Sequence, residues 1–134
     1  MAALPKNHRL ARKNSVREED LADELLVLAE GHCLANQALA ACGTKHGRLA
    51  GWQVMQATTL DTLVNLVAAG YGATLIPALA VESLQRRDIV VRPLAGHSAR
   101  TIRLASRPGY PRPQALRAIE KVIRKAVGGK VVRP

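Results

Sequence analysis

The sequence has no phenylalanine and only three aromatic residues, Trp52, Tyr71 and Tyr110. That scarcity argues against the interleaved basic and aromatic side chains that stack on single-stranded nucleic acid. There is no run of eighteen apolar residues, and no cationic leader followed by an apolar stretch and a small-residue cleavage site. Neither membrane insertion nor secretion is therefore supported, and a bacterial-type cytosol is the expected location. Acidic residues are scarce in one place. Residues 98–134 hold ten Lys and Arg against Glu120 alone, whereas residues 1–97 hold ten against nine. The net charge of +10 thus sits almost wholly in the C-terminal third, where it reads as a solvated helix face and a surface that meets another part of the protein. Cysteine is confined to Cys33 and Cys42. In a reducing compartment such a pair is either a transient, redox-sensing disulfide or two buried thiols, not a permanent bridge.

What is there begins with that pair. If Cys33 to Cys42 run as one helix, their Cα atoms lie about 13.5 Å apart on roughly opposite faces, while a disulfide needs them within about 7 Å. Joining the sulfurs would unwind the stretch between them, so oxidation and backbone rearrangement would be one event. Cys33 follows Gly31 and His32 at the expected N-terminus of that helix, where unpaired amides and the macrodipole favour a thiolate. A thiolate there would attack a peroxide O–O bond to give a sulfenic acid, which Cys42 would resolve. Two inert, buried cysteines remain the bland alternative.

Other chemistries fit less well. His32, Cys33, Cys42 and His46 offer two nitrogens and two sulfurs, but their spacing is not that of a zinc site and adjacent His32 and Cys33 chelate one tetrahedral ion poorly. No metal or cofactor is expected. Gly70-Tyr71-Gly72 follows a helix and precedes a strand, the reverse of a dinucleotide fingerprint, and reads as a helix stop.

The chain alternates strand and helix, which predicts an α/β fold with a mainly parallel sheet and flanking helices. Residues 1–14, broken by Pro5, read as a polar entry segment. Glu18 to Glu24, opened by Ser15, reads as a short helix leading to a buried strand over Leu25-Leu26-Val27-Leu28. Residues 43–51 read as loop and Trp52 to Ala57 as a strand. A helix follows, with Thr58 and Asp61 in a capping arrangement, an apolar face of Leu60, Leu63, Val64 and Val67, and Gly70 as its stop. Strands are expected at Ala73 to Pro77, Ile89 to Val91 and Thr101 to Ser106. A final helix from Pro113 carries an apolar stripe of Leu116, Ile119, Val122, Ile123 and Ala126 opposite Arg117, Lys121, Arg124 and Lys125.

Several of these stretches form a pattern in order: Glu30-Gly31-His32-Cys33-Leu34-Ala35-Asn36-Gln37-Ala38, then Cys42, then Ala57-Thr58-Thr59-Leu60-Asp61-Thr62-Leu63, and Val67-Ala68-Ala69-Gly70-Tyr71-Gly72-Ala73-Thr74-Leu75-Ile76-Pro77. With Leu4-Pro5-Lys6-Asn7-His8 at the start and Arg100-Thr101-Ile102 and Arg107-Pro108-Gly109 late in the chain, they resemble the regulatory domain of the OxyR-type, hydrogen-peroxide-sensing LysR-type transcriptional regulators. The Ala-Ala-Gly-x-Gly stretch is shared by many LysR-type effector domains. Gly-His-Cys with a second cysteine nine residues on marks the peroxide sensors.

The resemblance implies that Cys33 is the peroxidatic cysteine and Cys42 the resolving one, with His32, Arg100, Asn36 and Gln37 supporting the peroxide site. Asn36 stands where relatives often carry an aspartate, and the segment from Cys42 to Ala57 is longer by a couple of residues, leaving Gln53 and Val54 where relatives carry a histidine. It further implies a periplasmic-binding-protein-like lobe: residues 1–100 as the second lobe of the regulatory domain, and 101–134 as a returning strand and helix of an otherwise missing first lobe. The winged helix-turn-helix of the family has no counterpart here, so no DNA-binding element is expected in this chain. The implied function is peroxide sensing by reversible Cys33–Cys42 disulfide formation and local refolding, not enzymatic turnover. Implied partners are hydrogen peroxide, a glutaredoxin- or thioredoxin-type reductant and a second copy of the chain. A small thiol peroxidase, or a LysR-type small-ligand domain with incidental cysteines, are the rival readings.

Overall fold

The computed structural model describes residues 1–29, 38, 40, 42, 48–49, 52–53, 56–84, 88–96, 98–99 and 102–127. The chain divides into two units, Met1–Ser98 and Ala99–Pro134.

The first unit is built around its earliest strand. β1 (Ala2–Pro5) lies between β6 (Thr74–Leu75) and β7 (Ile89–Arg92), pairing Ala3 with Thr74 on one side and with Val91 on the other. Ala2, Ala3 and Leu4 are wholly buried. This corrects the expectation of an irregular entry segment: the polar residues begin only at Lys6, and Pro5, which has no amide to donate, takes the last pairing position opposite Ile89. Its carbonyl then accepts the His8 N–H at 3.1 Å and starts a turn into a 3₁₀ segment, Arg9–Arg12.

Side-chain alternation along the strands separates two cores. Ala2 and Leu4 join one cluster with Leu10, Val16, Leu21, Leu25, Val27 and Cys42, whereas Ala3 faces the other way, with Val64, Ile76 and Leu84. Leu25 and Val27 follow Leu4, while Leu26 and Leu28 turn toward Leu63 and Val67. A run of four apolar residues is what a strand covered on both faces requires.

β2 (Val27–Leu28) pairs in parallel with β5 (Gln56–Ala57), and Leu25 forms a parallel bridge to Ala73 just before β6. β6 and β7 run alike and β1 runs against both, so the two ladders around β1 are antiparallel. The expected mainly parallel sheet is thus corrected: among the described residues the three-stranded sheet is antiparallel, and β2 and β5 form a separate parallel pair. Strand and helix alternation in the sequence does not reveal a strand inserted between two that are made much later. The expected strand over Trp52 to Ala57 is likewise two pieces. β4 (Trp52–Gln53) pairs antiparallel with β3 (Arg48–Leu49), inside the stretch read as loop, and β5 pairs elsewhere.

α1 (Leu60–Ala68) buries Leu63, Val64 and Val67 as its spacing requires. Its cap is Thr59, one residue later than expected: the Thr59 side chain accepts the Thr62 N–H at 3.1 Å. Gly70, at φ +86°, closes the helix, with Tyr71 N–H donating to Leu66 O. Glu18–Glu24 is a 3₁₀ helix entered from Arg17, not Ser15. A short helix α2 (Val81–Leu84) precedes β7.

In the second unit, α3 (Pro113–Ala126) begins at the expected proline and has no buried residue; Ile119, Val122 and Ile123 are exposed. Residues 102–106 form no strand, and Ile102 and Leu104 are exposed, which corrects the expectation of a strand over Thr101 to Ser106. A ladder needs a neighbour, and pattern alone supplies none.

Candidate functional site around Cys42

Cys42 is the described member of the cysteine pair. It is a free thiol, 3% exposed, and its amide donates to the Ala38 carbonyl at 3.1 Å; Ala38 and Ala40 have helical backbone. The side chain lies in the cluster formed by Leu10, Val16, Leu21, Leu25 and Val27. Burial pushes the thiol up to about 11, and the Glu18 and Glu19 carboxylates add to the effect. At neutral pH it is a protonated thiol and a poor nucleophile in this position.

The structure does not bring the remaining predicted site residues into view: Cys33, His32, Asn36, Gln37 and Arg100 lie outside the described residues, as does the ligand candidate His46. Among the described residues no group of three or more His, Cys, Asp or Glu is placed to hold a metal ion. None of their helices is long and apolar enough to cross a membrane. Gly70-Tyr71-Gly72 forms the turn that ends α1. A Cβ at Gly72 would stand 2.4 Å from the Glu24 carbonyl oxygen, and that close approach is the reason for glycine there.

Sequence reasoning missed Glu18. Its side chain is buried, accepting a hydrogen bond from Ser98 Oγ on Oε1 at 2.6 Å and from the Gly96 amide on Oε2 at 3.3 Å. Burial pushes the carboxyl up. Hydrogen bonds from Ser98, its own amide and Gly96, with the nearby positive chain terminus, outweigh burial and hold it below the ordinary carboxylate range. Its partners lie 78 and 80 residues away. The only local signal is an acidic 3₁₀ start, which normally means a solvated face.

His8 is the other overlooked polar group. Its Nδ1 accepts the Leu10 N–H at 3.2 Å, so Nε2 carries the proton and donates to Glu24 Oε1 at 2.9 Å.

The LysR substrate binding domain family matches residues 1–128. The chain is 39% identical over 135 residues to the DNA-binding transcriptional dual regulator OxyR of Escherichia coli strain K12, covering 96% of this chain and 43% of that protein. It is 37% identical over 114 residues to the hydrogen peroxide-inducible genes activator of Haemophilus influenzae, covering 83% and 37%. The chain therefore spans less than half the length of these curated relatives. Among solved structures, the reduced form of OxyR superposes with a TM-score of 0.76 at 37% identity, over 98% of this chain and 61% of that one. The oxidized form gives 0.71 at 39% identity, over 98% and 62%. The reduced regulatory domain of OxyR from Pseudomonas aeruginosa gives 0.78 at 33%, over 92% and 60%.

Proposed function

We propose that this chain, which belongs to the LysR substrate binding domain family, is the peroxide-sensing part of the regulatory domain of a LysR-type transcriptional regulator, with residues 1–100 as one lobe and 101–134 as the portion returning to the other. The observation that carries the reading is the buried, protonated Cys42, nine residues after Gly31-His32-Cys33. The similarity to OxyR proteins in sequence and in both redox forms of the fold supports it.

In this mechanism the Cys33 thiolate attacks one peroxide oxygen. The O–O bond breaks, the departing hydroxide takes up the proton the thiol gave up and leaves as water, and Cys33 keeps the other oxygen as a sulfenic acid. His32, Arg100, Asn36 and Gln37 support the peroxide site. The Cys42 sulfur then attacks the Cys33 sulfur and displaces the hydroxyl, which leaves as the second water. Two thiols and one peroxide give one disulfide and two waters. The resting thiol at Cys42 cannot attack, so resolution waits for the segment to move, and movement is the signal. The response is stoichiometric. A thioredoxin- or glutaredoxin-type dithiol resets it, and a second copy of the chain reads it.

Intact mass after one equivalent of hydrogen peroxide tests the proposal. The expected result is the loss of two hydrogens, mapped by peptide analysis to a Cys33–Cys42 cross-link and absent in Cys33→Ser. An unchanged mass, or an unchanged cross-link in Cys33→Ser, overturns it.

A further inference from the structure

The segment leaving the first unit is fastened to the start of the Glu18–Glu24 turn by four hydrogen bonds. Val16 N–H donates to Pro93 O at 3.0 Å, and Ala95 N–H donates to Val16 O at 2.8 Å. The Glu18 carboxylate takes the Gly96 amide and the Ser98 hydroxyl, one on each oxygen. The fit is close. A Cβ at Gly96 would stand 2.6 Å from Glu18 Oε1 and 2.9 Å from Oε2, so any side chain there would push the carboxylate aside. A buried carboxylate that loses such donors is costly, which makes this fastening either made or broken, with little between.

The same place is packed from beneath by the cysteine cluster. Val16, whose amide and carbonyl form the first two bonds, is wholly buried in the cluster that holds Ala38 and Cys42, and Leu94, bridged to Val16, packs against it. Withdrawal of Cys42 removes a member of the cluster in which Val16 is buried and against which Leu94 packs.

We propose that Glu18 is a latch, and that departure of Cys42 from its pocket releases the Pro93–Ser98 segment from it. The proposal rests on the redox reading above and adds to it a route by which the cysteine pair is felt where the chain leaves the first unit.

Amide hydrogen exchange of the full chain, read by mass spectrometry on peptides covering residues 90–98, tests the latch. In the reduced protein Ala95 and Gly96 are expected to be protected, since both amides donate hydrogen bonds. The cross-linked protein is expected to exchange there on the order of tenfold faster, and Glu18→Gln to show the fast exchange already when reduced. Ser98→Ala, which removes one hydrogen bond at an exposed residue, serves if Glu18→Gln fails to fold, with faster exchange at Gly96 expected. Unchanged exchange in the cross-linked protein overturns the coupling and leaves the redox reading standing. If peroxide yields no cross-link, the redox reading falls, and reduced Cys42→Ala decides the latch: faster exchange at Ala95 and Gly96 upholds it and unchanged exchange overturns it. Unchanged exchange in both Glu18→Gln and Ser98→Ala removes Glu18 from the device.

Discussion

The helix of the first unit and the helix of the second make opposite use of similar patterns. α1 places Leu63, Val64 and Val67 at the usual helical spacing and buries all three, whereas α3 places Leu116, Ile119, Val122 and Ile123 at the same spacing and leaves the last three exposed. A stripe of apolar side chains fixes which face a helix offers. It does not supply what covers that face. α1 has strands to lie on, while α3 holds together through its proline start, good helix formers and the Glu120–Arg124 ion pair at 2.8 Å. Isolated helices of that length are marginal in water.

The largest expected consequence is in amide exchange. With α3 relying on local interactions, residues 113–126 should exchange at least about a hundredfold faster than residues 60–68 at concentrations where the protein is monomeric. Equal protection would mean that α3 has a partner and that the contrast is false. Next comes mutation. Leu63→Ala should cost about 2–5 kcal/mol in urea unfolding through the cavity left between α1 and the sheet, while Ile119→Ala should change stability by about 0.5 kcal/mol or less. A large cost at Ile119 would again break the comparison.

The smallest effect is in pH and sharpens the first unit alone. Glu18 has its carboxyl held below the ordinary value of 4.5, so its stabilisation is complete above that value and is lost as pH falls through the lowered one. Urea midpoints measured from pH 7 downward should therefore fall more steeply for the parent than for Glu18→Gln. Parallel curves would show that the buried carboxylate contributes no pH dependence.

Much of this was legible in the residues. The four apolar residues from Leu25, the stop at Gly70, the face of α1 and the proline start of α3 follow from period, turn chemistry and φ, all of which are local. The failures are non-local. Ala2–Pro5 is too short and too small-sided to announce a central strand; only Thr74 and Val91 make it one. Residues 102–106 carry the right alternation but lack a ladder. Glu18 looks like any acidic helix start until Gly96 and Ser98 arrive 78 and 80 residues later. Of the candidate site, Cys42 falls within the described residues, and its burial could be guessed from residue type though its elevated thiol pKa could not.

The central place of β1 fixes the order in which the molecule can be assembled. Its two neighbours, Thr74–Leu75 and Ile89–Arg92, emerge from a ribosome long after it does. Until Arg92 is outside the exit tunnel, Ala2 to Pro5 can find at most one of its edges. Such distant pairing slows folding, and during synthesis it leaves a bare apolar ribbon for chaperones to shield.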